Sequence, residues 1–316
     1  MGKMVTTEGE YTMITDQQTT FTLNRNLQNS FQSHNYLSKL AYDFKHTNAA
    51  RINLDLSNVT FIASNLFAVL GSILFEFDQR KKGDQELYIV GMNKQITEVI
   101  KKNGFCKHLN LEKLPDIHNT VIPYMYFPVS EIEEYERYLT LNLVTGTVGN
   151  IFSIMTPEVR DDISDSLLEL FKNVSDHTSC EYVFTCGQYF PKSYTLYFTI
   201  VDMGETIAYN VNSYHDSNGL PRPNNPLEWA MENGNTTSLS EKPRGVGLTI
   251  IRDFILSNKG ELYIFSNNGT YELRRTKERF QKLDYPFPGT VVTIGFNLKN
   301  CNEYYSNPNN YQSIQF

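Results

Sequence analysis

Cysteine is scarce in this chain. Four cysteines occur among 316 residues, and no two of them form a C-x-x-C pair. They are too few for a disulfide framework in a chain of this length, so a reducing compartment fits the sequence best.

Long apolar runs are also missing. The most apolar stretch, residues 59–77, is interrupted at five positions: Ser64, Asn65, Gly71, Ser72 and Glu76. This pattern favours a buried strand end followed by a core helix over a membrane span. The first thirteen residues contain no apolar stretch of signal-peptide length. We therefore expect a cytoplasmic protein without membrane contact.

Positive charge is in deficit, since 28 Lys and Arg residues stand against 35 Asp and Glu residues, a net charge of −7. This balance argues against a bulk electrostatic nucleic-acid binder, and no nucleic-acid partner is expected. The composition is 40% hydrophobic and 20% charged, which can bury a core and excludes a disordered chain. The length is about twice that of a typical domain, so we expect two domains.

The N-terminal part alternates strands and helices. Residues 51–57 read RINLDLS, with an apolar side chain at every second position, which predicts a half-buried strand. A helix is predicted over about 65–79, a strand over 87–91 and a second helix over 93–103, ending at Gly104. This order predicts a small α/β domain.

The turn before the first of these helices reads FIASNLFAVLG. It resembles the D-S-S-G turn of the STAS fold of sulfate transporters and anti-sigma-factor antagonists, so a STAS-like domain is expected over residues 1–115. In this resemblance Ser64 matches the first serine, and Asn65 matches the second, which is phosphorylated in the antagonists. Ala63 and Leu66 replace the aspartate and the glycine. These departures argue against phosphoregulation, and a Ser64 that caps the helix is the simpler interpretation.

The helical pattern lapses between about residues 111 and 126, where Pro115, Pro123 and Pro128 occur in or beside the segment. We place the domain boundary there. The second domain is expected over residues 116–300, with a polar tail over 301–316.

The second domain is predicted to contain at least four strands and three helices, the last of which begins near Gly245. One helix starts at Ser130, with Glu133 at capping-box spacing, and another runs from Pro157 to about His177. The strands are predicted at CEYVFTC (180–186), SYTLYFTIVD (193–202), GELYIFS (260–266) and GTVVTIGFNL (289–298). The last two are expected to be adjacent and antiparallel.

Two pairs of residues in this domain are candidates for ligand binding. Glu169 and Asn173 are four residues apart on the second helix, so they share one helical face, although solvent-exposed helices often show this spacing by chance. Asp202 and Gly204 follow an apolar strand, at the end where α/β sheets commonly bind ligands. A buried carboxylate at that place can accept a hydrogen bond from the exocyclic amine of a base.

A third pair, Gly245 and Gly247, begins a predicted apolar helix whose backbone N–H groups would face an anion. A lone G-x-G also occurs in ordinary turns. The order of the segments ELFKNVSDH, DMGET, RGVGL and PGTVVTIGF resembles the GHKL superfamily of ATPases and kinases, which includes DNA gyrase, the heat-shock chaperone of ninety kilodaltons, histidine kinases and MutL. The resemblance covers about residues 120–298. The sequence has no G-x-x-x-x-G-K-[ST] loop and no H-R-D or D-F-G kinase motif that would compete with it.

The resemblance implies a role for each matched residue. Asn173 would be the Mg²⁺ ligand, and Glu169 would polarise a water or an acceptor group. Asp202 would hold the adenine amino group, with Thr290 in the water network beside it. His177 stands where histidine kinases often have a histidine, and a packing or capping role is the alternative. The other matched residues would contact the nucleotide: Gly204, Arg244, Gly245, Gly247 and Leu248.

One departure from the family lies in the first glycine box, D-x-G-x-G, where Thr206 stands at the second glycine. The following segment, residues 207–244, is rich in Asn, Pro, Gly and Ser and is expected to be a lid. Arg222, Lys242 and Arg244 are candidates to reach a γ-phosphate, and solvated loop charges are the alternative interpretation.

The expected fold is therefore α/β: a STAS-like domain followed by a GHKL two-layer sandwich with a mixed, largely antiparallel sheet. The expected function is Mg·ATP binding, with ATP hydrolysis or phosphorylation of a serine or histidine on a protein partner, as in anti-sigma-factor kinases of bacterial signalling. The alternative is a nucleotide-gated interaction module with little turnover. The presence of both Glu169 and Asn173 favours the enzyme, and homodimerisation is left open.

Overall fold

The computed structural model contains both helices and sheets, so the mixed α/β class is confirmed. The residues that it describes are 4–7, 10–13, 18–81, 83–144, 157–232, 234–235, 237 and 247–299. None of the helices in these ranges combines the length and the apolar character needed to cross a bilayer.

The N-terminal part contains a hairpin and a small parallel sheet. The hairpin pairs β1 (Met4–Thr7) with β2 (Glu10–Met13). The parallel sheet has the strand order β3 (Gln18–Thr22), β4 (Arg51–Asp55), β5 (Glu86–Val90). Its helices are α1 (Phe31–His46), α2 (Phe67–Arg80) and α3 (Lys94–Asn103).

The two strands and two helices predicted here are confirmed to within a few residues. α3 is bounded as its sequence indicates: the Asn93 side chain accepts a hydrogen bond from the Ile96 N–H (3.0 Å), and Gly104 ends the helix with φ 85°. This left-handed backbone favours glycine because a Cβ is strained there. β3 and α1 were not predicted.

The C-terminal part is built on a five-stranded sheet with the order β6, β7, β8, β10, β9, and every neighbouring pair is antiparallel. The strands are β6 (Val121–Pro128), β7 (Tyr182–Phe190), β8 (Thr195–Asp202), β9 (Glu261–Arg274) and β10 (Lys277–Asn297). The helices are α4 (Ile132–Leu139), α5 (Pro157–His177), α6 (Ile207–Ser217), α7 (Pro226–Met231) and α8 (Gly247–Ser257). Among the described strands the parallel pairs thus belong to the three-stranded sheet, and the five-stranded sheet is antiparallel rather than mixed.

Several details of this part differ from the sequence-based expectation. The capping box at Ser130 is wrong, because α4 begins at Ile132 and its N-cap, Glu131, makes no side-chain capping bond. β6 was not predicted, although it carries Pro123. It is an edge strand, where proline can be accommodated because one side of the strand has no partner to receive an N–H. The expected lid contains the helices α6 and α7.

The five-stranded sheet is covered on both faces. Along β8, Ile200 belongs to the core beneath the C-terminal helices, whereas Val201 belongs to the core shared with α1 and α2. This alternation follows from the period of two in a strand. α1 and α2 therefore lie between the three-stranded and the five-stranded sheet. On the face of the larger sheet opposite to the C-terminal helices, α1 packs on β10, and α2 packs on β7 and β8.

Polar side chains join the two parts at the start of α2. The Asn65 Nδ2 donates to Asn29 Oδ1 (2.9 Å) and to Thr199 Oγ1 (2.8 Å), and Thr199 also bonds Thr293 (2.8 Å). Asn65, Thr199 and Thr293 are fully buried. This contact fixes the N-terminal part on the large sheet through groups that would otherwise be unsatisfied.

Replacing Asn65 by alanine should therefore lower the free energy of unfolding by ~2–3 kcal/mol, because buried partners such as the Thr199 hydroxyl lose a bond. Urea unfolding measures the effect. Asn58→Ala is the matched control, since Asn58 is exposed and makes a single side-chain bond to Asn24. Equal losses in both variants would show that the buried contact contributes nothing specific.

Ser64 lies beside Asn65 and is also fully buried. It does not cap a helix, because the 3-10 turn at residues 64–66 is preceded by Ala63 and neither that turn nor α2 has a side-chain cap. Instead the Ser64 N–H donates to Gln188 Oε1 (2.7 Å), and its Oγ accepts from Asn103 Nδ2 (3.2 Å). The capping interpretation is therefore wrong.

We expect no phosphate on Ser64 after incubation with Mg·ATP, because a kinase would first have to separate the N-terminal helices from the large sheet. Intact-mass analysis checks this. A mass gain of one phosphate that maps to Ser64 would contradict the expectation.

Candidate functional site

A cavity of about 160 Å³ opens between the five-stranded sheet and the C-terminal helices. Its floor is formed by β8 and β10, and its walls by α5, α6, α7 and the start of α8. The lining residues used below are Asn173, Val174, His177, Thr178, Ile200, Asp202, Glu205, Ile207, Asn210, Val211, Trp229, Leu248, Thr290 and Val292.

Asp202 is the last residue of β8 and lies on the cavity floor, only 3% exposed. Its Oδ1 accepts from the Gly204 N–H at 3.0 Å, and the backbone of Thr290 also bonds the carboxylate. Burial nevertheless raises the pKa of Asp202 to about 7, because the charged form loses its hydration. In its charged form this buried carboxylate has too few hydrogen-bond donors to offset the lost hydration.

Gly204 brings the end of β8 against the end of α5. A Cβ added at Gly204 would lie 2.6 Å from the Cβ of Thr178, so only glycine fits this approach without a shift. Two residues on, Thr206 caps α6 by accepting from the Tyr209 N–H at 3.2 Å. A residue that caps a helix therefore takes the place of the second glycine.

Thr290 is aligned with Asp202 across β10 and β8. Its Oγ1 bonds Ser266 Oγ (2.9 Å), which in turn accepts from the Ile207 N–H (2.9 Å). The carboxylate, the floor and the first turn of α6 are thus held by one chain of hydrogen bonds.

α5 presents Asn173 and His177 to the cavity, whereas Glu169 is absent from its described lining. The carbonyl of His177 accepts from Asn210 Nδ2 on α6 at 2.9 Å. Glu169 lies one turn before Asn173 along α5, so it is further than Asn173 from Thr178 and from Asp202.

The predicted phosphate cradle lies partly outside the described residues. Gly247 is the first residue of α8, and Leu248 lines the cavity. Lys242, Arg244 and Gly245 lie outside the described residues. Arg222 forms an exposed ion pair with Asp216 and is not part of the cavity lining, so the alternative interpretation, a solvated loop charge, fits it.

Sequence reasoning missed several lining residues. Trp229 is the only tryptophan of the chain, and it enters the cavity from α7. Glu205 lines the cavity too, and its carboxylate accepts from the N–H and the hydroxyl of Ser179 (2.6 and 2.7 Å), which lowers the pKa of Glu205.

The charges that line the cavity have one sign. Asp202 and Glu205 contribute carboxylates, and no lysine or arginine occurs among the described lining residues. Apolar side chains from β8, α5 and α6 surround them, such as Ile200, Val174 and Ile207. A flat, uncharged ring system with an amine fits this described part of the cavity, whereas a bare phosphate does not.

In the described ranges no three His, Cys, Asp or Glu side chains are grouped to hold a metal ion. Asn173 offers one amide oxygen, which fits Mg²⁺ only if phosphate oxygens and waters complete its coordination.

Comparison of the chain with family models, curated proteins and solved structures finds no match.

Proposed function

We propose that this protein binds Mg·ATP in the cavity, in the manner of the GHKL ATPases, and that its N-terminal part is a STAS-like module. The observation that carries the proposal is Asp202, a buried carboxylate that lines the cavity floor with Ile200, Thr290 and Val292, and whose pKa of about 7 reflects incomplete compensation. A base amine would supply the missing donor. The order of sequence motifs that led to the same residue supports the proposal independently.

In this proposal the C-terminal turns of α5 serve both the base and the phosphates of the nucleotide. The end at Thr178 lies beside Gly204 and Asp202, where the base would bind. Asn173 is about one turn further back along the helix, and its amide would hold the magnesium. When bound, Mg²⁺ would offset the phosphate charge. Gly247 and Leu248 at the start of α8 would then lie near the phosphates.

The proposed activity is ATP hydrolysis or transfer of the terminal phosphoryl group to a protein partner, with Glu169 orienting the attacking group. The alternative, a nucleotide-gated interaction module, is favoured by one observation: Glu169 is not part of the described cavity lining. The two functions share the binding site and differ in turnover.

Replacing Asn173 by alanine should remove the dependence of ATP affinity on Mg²⁺. The wild type should bind ATP more tightly when Mg²⁺ is present, because the ion bridges the protein and the phosphates. The variant should bind ATP weakly and almost equally with and without the ion. Calorimetric titration in both conditions measures this.

Asn218→Ala is the matched control for this test, because Asn218 is exposed and follows α6 outside the cavity lining. It should retain the Mg²⁺ effect. An Asn173→Ala variant with an undiminished Mg²⁺ effect would remove Asn173 as the ligand.

A further inference from the structure

We infer that Trp229 is the stacking platform for the base, and therefore that the site selects nucleotides by an aromatic wall as well as by the Asp202 carboxylate. The inference rests on the proposed function and extends it to a residue that none of the sequence motifs contains. Trp229 lines the same cavity as Asp202 and is partly buried there.

The position of Trp229 is fixed before any ligand binds. α7 is capped by Asn225, whose side chain accepts from the Glu228 N–H (3.3 Å), and Leu227 and Met231 anchor the helix in the core. The Trp229 carbonyl accepts from Asn235 Nδ2 at 2.8 Å. A short helix held at both ends and along its buried side gives the indole a preset orientation.

His215 supports the indole ring from the side. The two rings meet edge to face, with centroids 5.0 Å apart at 77°. His215 is itself held, because its Nδ1–H donates to the Pro221 carbonyl at 2.6 Å. Tyr214 packs on the same indole with a centroid distance of 5.9 Å. These contacts leave the rotation of the Trp229 ring restricted.

The aromatic wall formed by Trp229, His215 and Tyr214 is continuous with the end of the cavity that contains Asp202. α6 begins at Ile207, which is bonded through Ser266 to Thr290 beside Asp202, and the same helix carries Val211 into the cavity and His215 against Trp229. An aromatic face and a buried acceptor in one cavity are the two features that a flat base with an exocyclic amine needs. Base stacking on an aromatic side chain changes affinity by roughly 5- to 100-fold.

The single tryptophan makes the test direct, since all indole fluorescence of the chain comes from Trp229. Titration of the wild type with Mg·ATP should quench this fluorescence in step with binding measured by calorimetry. Adenosine alone should give the same quench at saturation, because it carries the base. Tripolyphosphate, which has no base, should give none.

Substitutions of Trp229 test the same inference through ATP affinity. Trp229→Leu should weaken ATP binding at least fivefold, because it keeps an apolar side chain and loses the aromatic face. Trp229→Phe should stay within about threefold of the wild type. Tyr209→Leu is the control, since Tyr209 is an exposed aromatic residue of α6 outside the cavity lining, and it should bind as the wild type does.

The outcomes separate this inference from the proposed function. If ATP binds the wild type by calorimetry but neither ATP nor adenosine changes the fluorescence, or if Trp229→Leu binds ATP as tightly as the wild type, the stacking role is overturned and ATP binding stands. If the wild type binds no ATP at all, the proposed function fails first. The fluorescence arm uses the unchanged chain, so it decides the matter even if a variant fails to fold.

Discussion

Replacing Glu169 by glutamine should lower the rate of phosphate release or phosphoryl transfer by about 10²- to 10⁴-fold and leave ATP affinity close to that of the wild type. The reason is the geometry of α5. Thr178 lies beside the base end of the cavity, and Glu169 is nine residues earlier, ~13 Å along the helix axis at about 1.5 Å per residue. At that distance Glu169 would act on the terminal phosphate and not on the base.

Single-turnover assays with radiolabelled ATP, with and without candidate partner proteins, measure this rate. Glu133→Gln on the exposed side of α4 is the matched control and should change nothing. A Glu169→Gln variant as active as the wild type, or a wild type that shows no turnover with any partner, would contradict the enzymatic function and leave the nucleotide-gated module.

Replacing Asp202 by alanine should weaken ATP binding by about 5- to 150-fold or more. The base amine would then be buried without an acceptor, which costs ~1–3 kcal/mol or more when the lost acceptor is charged. Calorimetric titration tests this, with Asp216→Asn as a control because Asp216 is exposed on α6 and bonds Arg222. Unchanged affinity in Asp202→Ala would place the base elsewhere.

The volume-conserving variant Asp202→Asn should remove a pH dependence of the free energy of unfolding that the wild type has. Folding raises the pKa of Asp202 to about 7, so the native state retains a proton that the unfolded chain loses near its ordinary pKa. The wild type should therefore lose stability as the pH rises from about 4 to about 7, and the asparagine variant should not. Thermal unfolding of both proteins across this pH range measures the effect. The stability of the wild type relative to Asp202→Asn should fall as the pH rises, and a constant difference in stability would contradict a raised pKa.

The sequence was most informative where the pattern is local. α5 has the predicted bounds, and its apolar positions Ile163, Leu167, Leu170 and Phe171 are all buried. α7 was missed, although Asn225 before Pro226 is a readable helix start. α1 was missed too, despite the helical spacing of Leu37, Leu40, Ala41 and Phe44, all of which are buried. In these two cases the physical signal existed in the sequence.

Other features depend on contacts between distant segments and could not be predicted from local patterns. Asn65 and Thr199 are 134 residues apart, so no local pattern predicts that the turn at Ser64 is buried against the large sheet. The same holds for Trp229, whose place in the cavity depends on the packing of α6 and α7 together. Asp202 and Thr290 were predicted as partners only through the resemblance, and their alignment follows from the pairing of β8 with β10.

Proton release on ATP binding tests the central claim, the base on the Asp202 carboxylate, most directly. In the free protein burial raises the pKa of Asp202 to about 7, so slightly below that pH the group is mostly protonated. A base amine donates a stronger hydrogen bond to the charged form than to the protonated one, so binding should favour the charged form and expel the proton. Calorimetric titration of the full chain with Mg·ATP near pH 6.5, in two buffers of different ionisation enthalpy, should show more than half a proton released per ATP bound in the wild type. Asp202→Asn should release none through this group. Tight binding without any proton release that depends on Asp202, or no binding of ATP to the wild type, would contradict the account.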